Sequence, residues 1–139
     1  MMQILVYTAP MAKRVGNITV PGDVGVRKHE METARALANA GHDVVFLKKS
    51  DHHHVQTPDI LIDGVRWEMK APEASNARAV QRNLHRALQQ APRVVFDGRR
   101  MKNYPDRQII HELRKWLPGL KSCKGLKFVN RAGEVIDIK

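Results

Sequence analysis

The chain has one cysteine, Cys123, in 139 residues, so no internal disulfide can form and no cysteine pair is available for a zinc module. A reducing compartment suits such a chain. Aromatic residues make up 5% of it, as two Trp, two Tyr and three Phe, which leaves few rings for stacking single-stranded bases. It also lacks a long apolar run. Met2 to Val6 is soon followed by Pro10, Lys13 and Arg14, so neither a signal peptide nor a membrane span is expected. Acid is scarce relative to base: 14 Asp and Glu face 24 Lys and Arg, for a formal charge of +10. On a small domain that surplus points to a polyanionic partner, with nucleic acid first, although charge alone serves solubility or anionic lipid equally well. The length suits a single domain over residues 1–139 with a moderate core, and it excludes a large multidomain enzyme.

Residues Gln3 to Thr8 read as a short strand, followed by turn chemistry through Pro21-Gly22-Asp23. From about Val24 to Ala40 the apolar pattern is helical, and Gly41 sits where a helix ends at positive φ. Asp43 to Leu47 reads as a strand. After the polar stretch Lys48 to Thr57, the runs Ile60 to Ile62 and Val65 to Met69 flank Asp63-Gly64, a strong signal for a tight hairpin. A second helix spans Ser75 to Gln90, capped by Ser75 or Asn76, with Ala79, Val80, Leu84, Ala87 and Leu88 at helical spacing. Arg93 to Phe96 reads as a strand and Pro105 to Leu117 as a helix anchored by Trp116. Two short strands around Phe128 and Ile136 close the chain, with a turn at Arg131 to Gly133 between them. The order strand, helix, three strands, helix, strand, helix, hairpin defines a mixed α/β domain, with a central mixed sheet flanked by helices. Its core is expected at about 24–97, with a basic C-terminal extension at about 98–139.

The segment from Pro58 to Lys70 carries the chemistry. A two-residue turn at Asp63-Gly64 sets Ile62 against Val65, Leu61 against Arg66, Ile60 against Trp67 and Asp59 against Glu68. Alternation then puts Lys70 on the face of Glu68 and sends Ile60, Ile62, Val65, Trp67 and Met69 to the core side, so that site and core separate. Opposed carboxylates repel, and a divalent cation offsets the repulsion. Mg²⁺ or Mn²⁺ is the first choice for oxygen ligands, with Zn²⁺ admitted. Such an ion can hold a phosphodiester and acidify a water, while Lys70 adds positive charge beside the phosphate. The plainer alternative is a solvated polar face with an ordinary surface ion pair.

Pro58-Asp59 opening one strand and Glu68-Met69-Lys70 on the next resemble the motif of the PD-(D/E)xK nuclease superfamily. The resemblance implies a restriction-endonuclease-like core, and the order of elements from Val24 to Asp97 is similar as well. In that family the first helix often contributes another acidic ligand. Here Glu30 and Glu32 are available, and a helical advance of about 100° per residue brings Glu30 to the inward side with Leu37, so Glu30 is expected to act. The runs Glu30 to Gly41, Pro58 to Pro72 and Asn83 to Asp97 further resemble the C-terminal transfer-RNA nuclease domain of CdiA contact-dependent growth-inhibition toxins. That resemblance implies a ribonuclease acting on transfer RNA in the cytoplasm, with a divalent metal and a cognate immunity protein, for which an acidic partner suits the charge. The mode of delivery stays open, as does the choice between a free-standing protein and a domain of a larger toxin.

Taken together, Glu30, Asp59 and Glu68 are the expected metal ligands and Lys70 the electrostatic helper. On the second helix, Arg78, Gln81, Arg82, His85 and Arg86 compete for one cleft-facing side, and Gln81 and Arg82 are the expected substrate contacts. The basic segment Arg99, Arg100, Lys102 and Arg107, with Lys121, Lys124 and Lys127 beyond it, reads as a phosphate track. His52-His53-His54 reads as an exposed polar loop. The alternatives are a free-standing DNA nuclease of the restriction or repair type, a non-catalytic nucleic-acid-binding module, and an immunity component acting through a protein partner. The residues alone do not separate RNA from DNA.

Overall fold

The computed structural model describes residues 14–48 and 60–139. The strand expected at Gln3 to Thr8, the three consecutive histidines and Asp59 lie outside the described residues. Seven strands form one mixed sheet in sequence order: β1 (Ile18–Thr19), β2 (Val44–Phe46), β3 (Ile60–Ile62), β4 (Val65–Lys70), β5 (Arg93–Asp97), β6 (Gly125–Val129) and β7 (Val135–Asp137). Three helices accompany them: α1 (Lys28–Asn39), α2 (Ala77–Gln90) and α3 (Asp106–Trp116). The pairs β1·β2, β4·β5 and β5·β6 are parallel, and α1, α2 and α3 respectively make the crossovers that parallel neighbours require.

The hairpin follows from its turn. Asp63 (φ 49°) and Gly64 (φ 83°) both take positive φ, the geometry that Asp-Gly favours, and the register pairs Ile62 with Val65, Leu61 with Arg66 and Ile60 with Trp67. The Asp63 carboxylate also accepts from His42 Nδ1 at 2.7 Å and from the Asp43 amide at 2.9 Å, which ties the turn to the end of α1. Val65 was expected on the core side but is 41% exposed, because it sits beside the turn at the end of the sheet.

α1 starts at Lys28 rather than near Val24, since Arg27 is extended and its amide donates to Glu30 Oε1 at 2.9 Å. Gly41 follows the helix at φ 99°, as its type suggests. Strand β1 escaped the sequence pattern because two residues have no periodicity. It enters the sheet past Gly16, where a Cβ would fall 1.8 Å from the His42 carbonyl oxygen. On α2 the cap is Asn76, whose side chain accepts from the Ala79 amide at 2.8 Å. Asn76→Ala is expected to lower stability by about 1 kcal/mol, read from the denaturation midpoint.

Both faces of the sheet are covered. Ala34 and Leu37 of α1 pack with Phe46, Ile60, Trp67, Met69 and Val95, whereas Val80, Leu84 and Ala87 of α2 pack with Val94, Phe96, Phe128 and, from α3, Ile109 and Leu113. Adjacent residues of β5 thus go to opposite cores. The stretch from 98 to 139 carries β6, β7 and α3, so the sheet and the α2 core run on through it.

Candidate active site

Strand β4 lies in the middle of the sheet, antiparallel to β3 and parallel to β5, with α1 over one face and α2 over the other. Alternation sends Trp67 and Met69 to the α1 core. The position between them, Glu68, faces α2, and its side chain is completely buried there. Site and core therefore do not separate as the alternation predicted. A hairpin read alone has one wet face, but the parallel pairing of β4 with β5 and the crossover helix α2 close that face over Glu68. A solvated surface pair is excluded for the same reason.

Glu68 is not without partners. Lys70 Nζ lies 3.9 Å from its Oε1, and the Gln90 carboxamide, oriented with its nitrogen toward the carboxylate, donates to both oxygens at 3.2 Å. Lys70 stands at the C-terminal end of β4 with 14% of its side chain exposed. There it lines a cavity of about 180 Å³ together with His29, Glu30 and Thr33 of α1, Met69, Ala71 and Pro72 of the β4 exit, and Asn83 of α2. Glu30 is 7% exposed, on the inward side that helical phase indicates, while Glu32 points outward beside Lys28. The structure thus brings Glu30 and Lys70 into one cavity and links Glu68 to it through the lysine. Among the described residues, no group of three His, Cys, Asp or Glu side chains is placed to hold a metal ion.

Other expected contacts sit elsewhere. Gln81 and Arg82 line an outer groove with Arg78, His85, Arg86 and Gln89, because the helical turn that aims Asn83 at the cavity carries them away from it. Arg99 was read as part of a phosphate track, but its guanidinium is occupied: Nε and Nη2 donate to the buried Asp97 carboxylate at 3.0 and 2.7 Å. These hydrogen bonds push the Arg99 pKa further above its ordinary value. Arg100 donates from Nη1 to the Ala71 carbonyl at 2.9 Å and pairs with Glu73, so it braces the β4 exit. Lys127 is buried, donates to Asp137 at 2.6 Å and lies over the Trp67 ring at 5.2 Å. Lys102 is exposed. Burial pushes the Cys123 thiol pKa up, which argues against a thiolate nucleophile.

The sequence reading missed His29, Thr33, Asn83 and Asp97. Asn83 did carry a signal, since it interrupts the stripe of Ala79, Val80, Leu84 and Ala87 with a polar side chain. Thr33 stands one helical turn from Glu30 and donates to Asp97 Oδ2 at 2.6 Å, a contact spanning 64 positions that no local pattern announces.

A family model described as the contact-dependent growth inhibition CdiA C-terminal domain matches residues 56–135. No curated protein matches the chain. A solved structure described as the CdiA-CT/CdiI toxin and immunity complex from Burkholderia pseudomallei is similar, with a TM-score of 0.63 and 18% identity. The match covers 89% of this chain and 99% of that one. At that identity the likeness is one of fold.

Proposed function

The chain belongs to the family of contact-dependent growth inhibition CdiA C-terminal domains, and from that premise we propose that it is a toxin domain that hydrolyses phosphodiester bonds of RNA, transfer RNA first, with a divalent metal ion. The observation that carries this reading is a fully buried glutamate, Glu68, two positions from a lysine that opens into a cavity beside a second buried glutamate, Glu30. Removing a carboxylate from water costs several kcal/mol, which its partners, Lys70 at 3.9 Å and the Gln90 amide among them, must offset. Active sites are where such arrangements persist. The Glu-x-Lys spacing on β4 also fits a PD-(D/E)xK core.

The donor set suits a hard cation. Glu30 and Glu68 offer oxygen only, and Mg²⁺ or Mn²⁺ takes carboxylates together with water and phosphate. Asp59, outside the described residues, is the third ligand in this reading. A cation held by these groups supplies a Lewis acid and a more acidic water. Lys70 places an ammonium at the cavity wall, where it attracts the phosphodiester and stabilises charge that grows on its oxygens as the water oxygen bonds phosphorus and the ribose oxygen leaves. Glu68 and Gln90 hold that ammonium in place from beneath. Arg100, through Ala71 and Glu73, fixes the backbone where β4 ends.

The excess positive charge serves the approach of RNA and would equally suit an acidic immunity protein. Action in the cytoplasm of a target cell follows from the substrate. Lys102 is exposed and is the phosphate contact of the basic segment. Lys102→Ala is expected to weaken RNA binding severalfold and to lower the slope of log affinity against log salt by about 1, measured by fluorescence anisotropy. The function itself is tested by mapping cleavage in mixed cellular RNA beside plasmid DNA. Discrete breaks in transfer RNA support it. Cutting of duplex DNA instead would move the assignment to a restriction or repair nuclease.

A further inference from the structure

The cavity beside Lys70 has two walls: α1 supplies His29, Glu30 and Thr33, and α2 supplies Asn83. Several of its polar atoms are committed. Glu30 Oε1 accepts from the Arg27 amide, and the Thr33 hydroxyl donates to Asp97. Asn83 Nδ2 donates to the Ala79 carbonyl at 2.8 Å, one helical turn back, which fixes the orientation of the carboxamide. Its other polar atom, Oδ1, accepts from no donor among the described residues.

A lone acceptor is an odd feature in a cavity meant for phosphate. Asn83 is half-buried, so water can meet Oδ1 in the free protein, and a phosphodiester, which at neutral pH carries acceptors only, displaces that water without replacing its hydrogen bond. A substrate that brings a donor to this wall keeps the acceptor satisfied when it binds. Beside the phosphate in RNA that donor is the ribose 2′-hydroxyl, the group by which a protein tells RNA from DNA.

We propose that Asn83 Oδ1 accepts a hydrogen bond from a 2′-hydroxyl next to the scissile phosphate and so makes the site selective for RNA. This rests on the nuclease reading above and adds the residue that decides between the two nucleic acids. The mechanism is rejection by an unpaired group: a deoxynucleotide in the same pose leaves Oδ1 without a partner, and sites built this way discriminate strongly against analogues lacking the donor.

The test uses an RNA oligonucleotide spanning the mapped cleavage site and a series in which one 2′-deoxynucleotide is walked across it. The parent should cleave the all-ribose strand about 10-fold or more faster than the strand with the critical deoxy position. Asn83→Leu, which keeps the shape and loses the acceptor, should fold with an unchanged melting transition, cleave more slowly and lose that ratio. Asn83→Asp keeps an acceptor on this wall but can no longer donate to the Ala79 carbonyl, so it should retain more of the ratio than Asn83→Leu even if its charge lowers the absolute rate. A parent indifferent to every deoxy substitution, or an Asn83→Leu variant with the parent's ratio, overturns the proposal. A parent that cleaves no nucleic acid with any divalent metal instead removes the nuclease reading, and this inference with it.

Discussion

Glu68→Gln is expected to lower the cleavage rate by about 10²-fold or more while leaving thermal stability unchanged or slightly higher. The two halves of that result have different causes. Glu68 sits with its side chain fully buried beneath α2, so its charge weakens the fold unless its partners compensate. A neutral amide of the same shape removes the desolvation cost and can still meet Gln90. On the proposed function, activity should fall because the substitution would remove an anionic metal ligand and the counter-charge beside Lys70. Rates and melting curves on the same preparation separate the effects. A variant that cleaves like the parent would show Glu68 to be only a buried structural polar group.

Lys70→Ala should also reduce cleavage by about 10²-fold or more, but with the opposite sign in stability. Its Nζ is 3.9 Å from a carboxylate that has no access to water, so removing it leaves Glu68 less compensated and should cost about 1–3 kcal/mol. Metal binding should persist, since the carboxylates remain, and can be followed by isothermal titration with Mn²⁺. Lys70→Arg keeps the charge and should restore stability better than rate, because the larger planar group cannot take the same position in a cavity of about 180 Å³. The pair of variants is informative together. A nuclease site loses activity in both, while a buried ion pair without chemistry shows only the change in stability.

The hairpin at Asp63-Gly64 was legible because its information is local: two residues that tolerate positive φ set the turn, and the turn sets the register of three residue pairs. The inward phase of Glu30 was legible for a similar reason, through its spacing from Leu37. What covers β4 was not. The burial of Glu68 depends on α2 folding back and on β5 pairing in parallel, contacts between segments more than 20 positions apart in the chain. Counting basic residues could not reveal that Arg99 is spent on Asp97, or Lys127 on Asp137 and Trp67. The outer position of Gln81 and Arg82 shows the same limit, since a polar helix face can be recognised without knowing which neighbour it meets.

The central claim, hydrolysis by a carboxylate-held metal with Lys70 beside it, is tested most directly by incubating the purified chain with cellular RNA in Mg²⁺ or Mn²⁺, in EDTA, and in EDTA followed by excess metal. The account predicts transfer-RNA fragments with metal, none in EDTA and recovery on restoring the metal, with Lys70→Ala slow throughout. Cleavage that proceeds equally in EDTA, or that matches the parent rate in Lys70→Ala, would contradict it.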